Sequence, residues 1–126
     1  MEYCVYLDDF RQPIDSFYFT KNPIYNKVEW KIVRNYDEFV KIITENGIPD
    51  IISLDHDLND SDYERVANYG DDNPEKNGYH CAKWLINYCI DNNLELPKTI
   101  LIHSMNPVGS QNIKSLFDSY KKSLNL

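Results

Sequence analysis

The chain is poor in cysteine, in positive charge and in long apolar runs, and each shortage closes off a class of function. Cys4, Cys81 and Cys89 are an odd set with no Cys-x-x-Cys spacing. Each falls within an apolar pattern, so buried free thiols in a reducing compartment are expected rather than a redox or zinc site. Thirteen Lys and Arg stand against 20 Asp and Glu, a formal net charge of −7. The lysines are scattered without a basic stripe, which disfavours neutralising the phosphates of a long nucleic acid. No segment approaches the apolar length of a bilayer span, and Met1-Glu-Tyr-Cys enters strand-like sequence with no basic and apolar leader. A cytosolic protein that avoids membranes is expected. Walker phosphate loops, Gly-x-Ser-x-Gly elbows and His-Glu-x-x-His pairs are missing, as are internal repeats and low-complexity tracts. A calcium loop starting at Asp57 fails because Asp62 replaces the required glycine and Asn68 the closing glutamate.

What is present fits one packed domain over residues 1–126: 42% hydrophobic residues, with ten Tyr, two Trp and five Phe. Most of these rings fall at core spacing, so core packing is favoured over base stacking for them. Tyr3 to Leu7 is a continuous apolar run of the kind found in buried parallel strands, and it stops at Asp8-Asp9. Residues 11–27 show neither periodicity and contain Pro13 and Pro23, reading as an extended excursion or hairpin. Val28 to Val33 alternates as a strand, with Val28, Trp30 and Ile32 on one face. Asn35 can cap a helix with Glu38 at its third position, Tyr36, Phe39, Val40 and Ile43 as its stripe, and Asn46-Gly47 as its stop. After Pro49 a buried strand, Ile51 to Leu54, runs into Asp55-His56-Asp57.

Residues 58–77 are polar and acidic, too long for a bare connection, and a short helix around Tyr63 to Asn68 is expected there. After Asn77-Gly78, Cys81, Ala82, Trp84, Leu85, Tyr88 and Cys89 repeat at helical spacing. Ile100 to Ile102 reads as a further buried strand. Asn106 and Pro107 open a last helix with Ile113, Leu116, Phe117 and Tyr120 inward. Strands alternating with helices give an α/β class with a mainly parallel sheet covered on both faces.

Ligands of such sheets bind beyond the carboxyl ends of the strands, where the candidate residues gather. Asp8, Asp9, Asp55 and Asp57 supply hard oxygen ligands suited to magnesium, manganese or calcium. Extended geometry continued past Leu54 would send Asp55 and Asp57 to one side and His56 to the other. Each residue alone has a plain explanation, the carboxylates as turn formers and the histidines as hydrogen-bonded structural groups. Two histidines, His56 and His103, each just beyond an apolar strand and near carboxylate or hydroxyl neighbours, are harder to explain by packing. Asn106-Pro107-Val108-Gly109 follows His103-Ser104 and opens a helix, whose free N–H groups would make a phosphate seat. Arg11 could add a bidentate phosphate contact, or be simply solvated or salt-bridged.

The order Leu-Asp-Asp-x-Arg-x-Pro, Ser-Leu-Asp-His-Asp-Leu, Asn-Gly-Tyr-x-x-Ala-Lys-Trp-Leu, Leu-Pro-Lys and Ile-His-Ser-x-Asn-Pro-Val-Gly resembles the cyclic-phosphate processing receiver domain, a divergent receiver-like group of bacteria and phages, over nearly the whole chain. The resemblance implies a receiver-like (flavodoxin-like) three-layer sandwich with about four strands, and a cytoplasmic setting in a bacterium or a phage-infected host. It implies a role on cyclic phosphates, with cyclic nucleotides of defence signalling as candidates. Asp8, Asp9 and Asp55 match the metal-binding acids and phosphoacceptor of ordinary receivers, and Ser104 their strand-end hydroxyl. A fifth strand and its lysine are expected to be missing, which counts against aspartyl-phosphate signalling through Asp55. His80 stands where relatives carry an acid, and a helix-surface role is preferred for it.

The leading expectation is a phosphoesterase acting on a cyclic phosphate or cyclic nucleotide. His56 and His103 would be its acid and base in either order, with Asp55 also in the catalytic set. Arg11, Ser104, Asn106 and Gly109 would bind phosphate, and Asp8, Asp9, Asp55 and Asp57 a magnesium or manganese ion. The alternative is a non-catalytic cyclic-nucleotide binder or sponge using the same residues. A phosphoreceiver stands behind both. Composition leaves the oligomeric state open.

Overall fold

The computed structural model describes residues 3–57 and 77–124, and the helix expected around Tyr63 to Asn68 lies outside them. Strands β1 (Cys4–Leu7), β2 (Trp30–Val33), β3 (Ile51–Leu54) and β4 (Thr99–Ile102) form one parallel sheet in the order β2-β1-β3-β4. Five helices accompany it among the described residues: α1 (Pro13–Thr20), α2 (Ile24–Lys27), α3 (Tyr36–Asn46), α4 (Gly78–Asn92) and α5 (Pro107–Leu124). This is a receiver-like, flavodoxin-like α/β fold, and its strand order reverses at β1 and β3.

The two sheet faces carry different chemistry because side chains alternate along each strand. Val5, Leu7, Ile52 and Leu54 point into an apolar core with Phe39 and Ile43 of α3, Leu85 of α4, and Ile113 and Phe117 of α5. Full burial of each such side chain is worth roughly 1.5–3 kcal/mol, so this face carries the larger share of the apolar stabilisation. The opposite face places Tyr6, Ser53 and His103 against Ser16 of α1 and Tyr25 of α2, where hydroxyls and rings replace aliphatic contacts. Cys4, Cys81 and Cys89 are all buried, and none is in a disulfide.

Residues 11–27 depart from the sequence expectation, because the excursion holds two helices. Pro13 occupies the first turn of α1, where its missing N–H costs nothing, and the Asp15 carboxylate accepts the Gln12 N–H at 2.8 Å. Ile14, Tyr18 and Phe19 of α1 are exposed while Ser16 is buried. An apolar stripe was therefore never there to be read. Two further expectations need adjusting. β2 begins at Trp30 rather than Val28, which caps α2, and its deeply buried residue is Val33 while Ile32 stays exposed. β4, read as buried, is only half-buried because it is an edge strand. The helix capped by Asn35 ends at Gly47, whose φ of 89° suits glycine, and Asn35 Oδ1 accepts the Glu38 N–H at 2.8 Å.

Candidate functional site

The strands end level, so the residues that follow them form a row along the carboxyl edge. Leu7 lies opposite Val33 and Leu54, and Leu54 opposite Ile102. The ladder runs one residue further: Asp8 N–H donates to Val33 at 3.1 Å, Asp55 N–H to Leu7 at 3.0 Å, and His103 N–H to Leu54 at 3.0 Å. Asp8, Asp9 and Asp55 thereby each offer an oxygen within 4.8 Å of the others. These hard, close-set carboxylates fit a magnesium or manganese ion. Asp57 stands outside this triad.

Asp8 is fully buried and held from two sides. Its Oδ1 accepts the N–H groups of Phe10 at 3.0 Å and Arg11 at 2.9 Å, and its Oδ2 accepts His103 Nε2 at 3.0 Å. Burial pushes the Asp8 carboxyl up, but these hydrogen bonds outweigh it and hold the group at about 2. For Asp55, burial and then repulsion from Asp8 push the carboxyl up to about 6, against donation from the Ser104 hydroxyl and the Asp57 N–H. One acid of the cluster thus stays ionised while its neighbour crowds toward protonation. A bound cation would relieve that crowding.

His103 is 1% exposed. Its ring stacks on Tyr6 at 4.4 Å between centroids, with the planes 5° apart. Burial lowers its affinity for a proton, and the attraction of Asp8 offsets this only in part. A carboxylate can only accept, so the Nε2 proton faces Asp8, and the neutral ring's Nδ1 accepts the Ser53 hydroxyl at 2.7 Å. Ser53 in turn accepts from Tyr25 Oη at 2.7 Å. The result is a buried chain, Tyr25 to Ser53 to His103 to Asp8, lying under the acidic cluster. His103 is therefore sealed beneath the strand-end edge, where the sequence alone suggests an acid or base.

His56 lies on the other side of the sheet, as expected where the alternation of β3 continues past Leu54, since it stands three positions after Ser53. Its Nδ1 donates to Asp57 Oδ1 at 2.8 Å. The start of α5 passes over the imidazole so closely that a Cβ on Gly109 would sit 2.3 Å from His56 Cγ. Gly109 therefore makes room for His56, and its N–H is already donated to Asn106 Oδ1 at 2.9 Å. The Asn106 N–H goes to Ser104 Oγ at 3.1 Å, and Pro107 has none to offer. The expected phosphate seat at this helix start is thus largely consumed by its own cap.

Two hollows result. A cleft of about 390 Å³ is lined by Asp9, Phe10, Arg11, Asp55, Asp57, Met105, Asn106 and Pro107. A larger groove of about 620 Å³ runs between α4 and α5 past His56, Asn77, Tyr79 and Asn112. The smaller cleft is the chemically equipped one, since the carboxylates open there. Arg11 sits at its rim, 4.0 Å from Asp8 Oδ2, and Asn106 Nδ2 lies 3.4 and 3.5 Å from the oxygens of Asp57. The structure thus gathers Asp8, Asp9, Asp55, Ser104, Arg11, Asn106 and Asp57, and sends the two imidazoles to opposite faces.

Sequence reasoning missed Arg34, whose Nη1 donates to the carbonyls of Asp8 at 3.1 Å and Arg11 at 2.6 Å and so ties down the loop after β1. A cation directly after a strand ending at the same edge was the available signal. His80 is exposed and structural: its Nδ1 accepts the Asn77 N–H at 3.1 Å, completing the box that opens α4. No helix among the described residues is long and apolar enough to cross a membrane. Compared with known proteins, residues 3–119 match the family described as the cyclic-phosphate processing receiver domain. No curated protein and no solved structure matches the chain.

Proposed function

Because the chain belongs to the cyclic-phosphate processing receiver domain family, we propose that its strand-end cleft binds a cyclic phosphate and hydrolyses it to a phosphomonoester. The observation that carries this reading is the close triad of Asp8, Asp9 and Asp55, of which Asp9 and Asp55 line a cleft that Arg11 also lines. The triad would hold a magnesium or manganese ion. Bound there, the ion would supply neutralisation of phosphate charge.

The protein's own groups divide the remaining work. Arg11 binds and orients the phosphate. Ser104 keeps Asp55 in place by donating to it. Asp57 lines the cleft with one oxygen already fixed by His56, and it accepts the proton of the attacking water. A new P–O bond forms from that water, the ring P–O bond breaks, and the departing ring oxygen takes a proton from solvent. His56 acts here by orienting Asp57, and His103 by orienting Asp8.

One observation favours the second reading, sequestration without cleavage: neither imidazole opens on the acidic cleft, since His103 is sealed beneath it and His56 is covered by Gly109. Incubating the protein with cyclic mono-, di- and trinucleotides and magnesium or manganese, then denaturing it, separates the two. Recovery of linear product supports hydrolysis, recovery of intact ligand supports sequestration, and a panel neither bound nor cut overturns both. With hydrolysis in hand, Asp57→Asn is expected to lower turnover at least about a hundredfold while ligand is still bound.

A further inference from the structure

The cleft has an apolar side that phosphate chemistry does not use. Phe10 is 57% exposed and Met105 is 59% exposed, and both line the same cleft as Asp9, Asp55 and Asp57. Single exposed apolar residues are ordinary on a protein surface. These two are joined by one cation: the Arg11 guanidinium carbon lies 5.2 Å from the Phe10 ring centroid, and Arg11 Nη2 lies 3.0 Å from Met105 Sδ. An aromatic ring, a guanidinium and a thioether thus form a continuous strip along one edge of the cleft. It spans from the end of β1 to the end of β4.

We infer that this strip takes the flat face of a nucleobase, so that the cyclic phosphates the cleft admits are nucleotides. The inference rests on the phosphate reading above and adds the base. Aromatic faces, guanidinium planes and polarizable sulfur are the surfaces on which bases stack. The charge balance points the same way, since beside carboxylates a second phosphate is repelled whereas an uncharged base is not. Size agrees as well: about 390 Å³ lies within the ordinary range of small-molecule sites. Stacking is tolerant of base identity because every base offers a π-face, so Phe10 and Met105 select for a base and not for a particular one.

The experiment is an NMR titration of the full chain, with magnesium present, using three probes. Cyclic AMP carries both parts, methyl riboside cyclic phosphate lacks the base, and adenosine lacks the phosphate. Cyclic AMP and adenosine are expected to move the Phe10 ring and Met105 methyl signals. The base-free probe is expected to move the Arg11 side-chain and Asn106 amide signals, with smaller shifts at Phe10 and Met105 than cyclic AMP gives. In Phe10→Ala, cyclic AMP binding is expected to weaken about tenfold, with the base-free probe unchanged. Phe10 and Met105 signals that stay still with both cyclic AMP and adenosine overturn the inference, as does a Phe10→Ala variant that weakens both phosphates equally. Arg11 and Asn106 signals unmoved by the base-free probe overturn the phosphate reading instead, and the adenosine result then decides the base.

Discussion

Replacing His103 by alanine should cost the fold more than it costs any chemical step directly. The side chain is sealed, stacked on Tyr6, and bonded at both nitrogens. His103→Ala leaves Asp8 Oδ2 and Ser53 Oγ without their ring partner, at roughly 1–3 kcal/mol for a neutral buried group and more for a charged one. The emptied ring volume adds about 1–2 kcal/mol. The sum is about 3–5 kcal/mol, a large part of the 5–15 kcal/mol typical of a domain. His103→Gln, which can still donate to Asp8, should lose roughly half as much. Urea unfolding of the metal-free proteins measures both. The pH dependence gives an independent check, because the folded state holds His103 neutral while the unfolded chain protonates it near its ordinary 6.5. Wild-type stability relative to His103→Gln should therefore decline as pH falls below about 6.5. Below about 3.8 a further loss is expected as pH falls, because Asp8 is held at about 2 when folded. A loss under about 1 kcal/mol in His103→Ala at an unchanged urea slope refutes this account.

The remaining predictions concern the acids and the close approaches. Asp55 is raised to about 6 when folded. Its contribution to metal-free stability is therefore fully present below the ordinary 3.8 and is lost as pH rises through about 6. Asp55→Asn should accordingly stabilise the metal-free protein at pH 8 by on the order of 1–3 kcal/mol while weakening the magnesium-induced rise in Tm; destabilisation at that pH would sink the charge-crowding argument. Gly109→Ala places a Cβ 2.3 Å from the His56 ring, so calorimetry should show a loss of about 2 kcal/mol or more, with His56 NMR signals displaced. Gly78→Ala should be worse, since its Cβ would meet the backbone oxygen of Asp55 at 1.8 Å and backbone cannot rotate away; a well-folded variant with wild-type Tm would contradict the geometry. Tyr25→Phe removes the first donor of the buried chain and should cost about 1 kcal/mol in urea unfolding.

Most of the fold was legible because its signals are local. The apolar runs at 4–7 and 51–54 stand out as buried strands, Asn35 and Asn106 announce two of the three longer helices through their caps, and helical spacing after Asn77-Gly78 announces the third. The helices at 13–20 and 24–27 were hidden, since α1 exposes its apolar residues and its opening proline reads equally well as a breaker. The acidic cluster was legible from the strand ends alone. The placement of the histidines was not: His56 and His103 look alike in sequence, each following a strand beside polar neighbours.

What the chain determined by itself is the row of polar groups at one sheet edge, because parallel strands of equal length that end level bring their next residues together. What only the tertiary structure decided is which of those groups face the cleft. Alternation sends Ser53 and His103 to the face covered by α1 and α2, and sends His56 beneath α5. Which face is sealed and which stays open depends on the helices packed there. That depends on long-range contacts, and no window of sequence contains them.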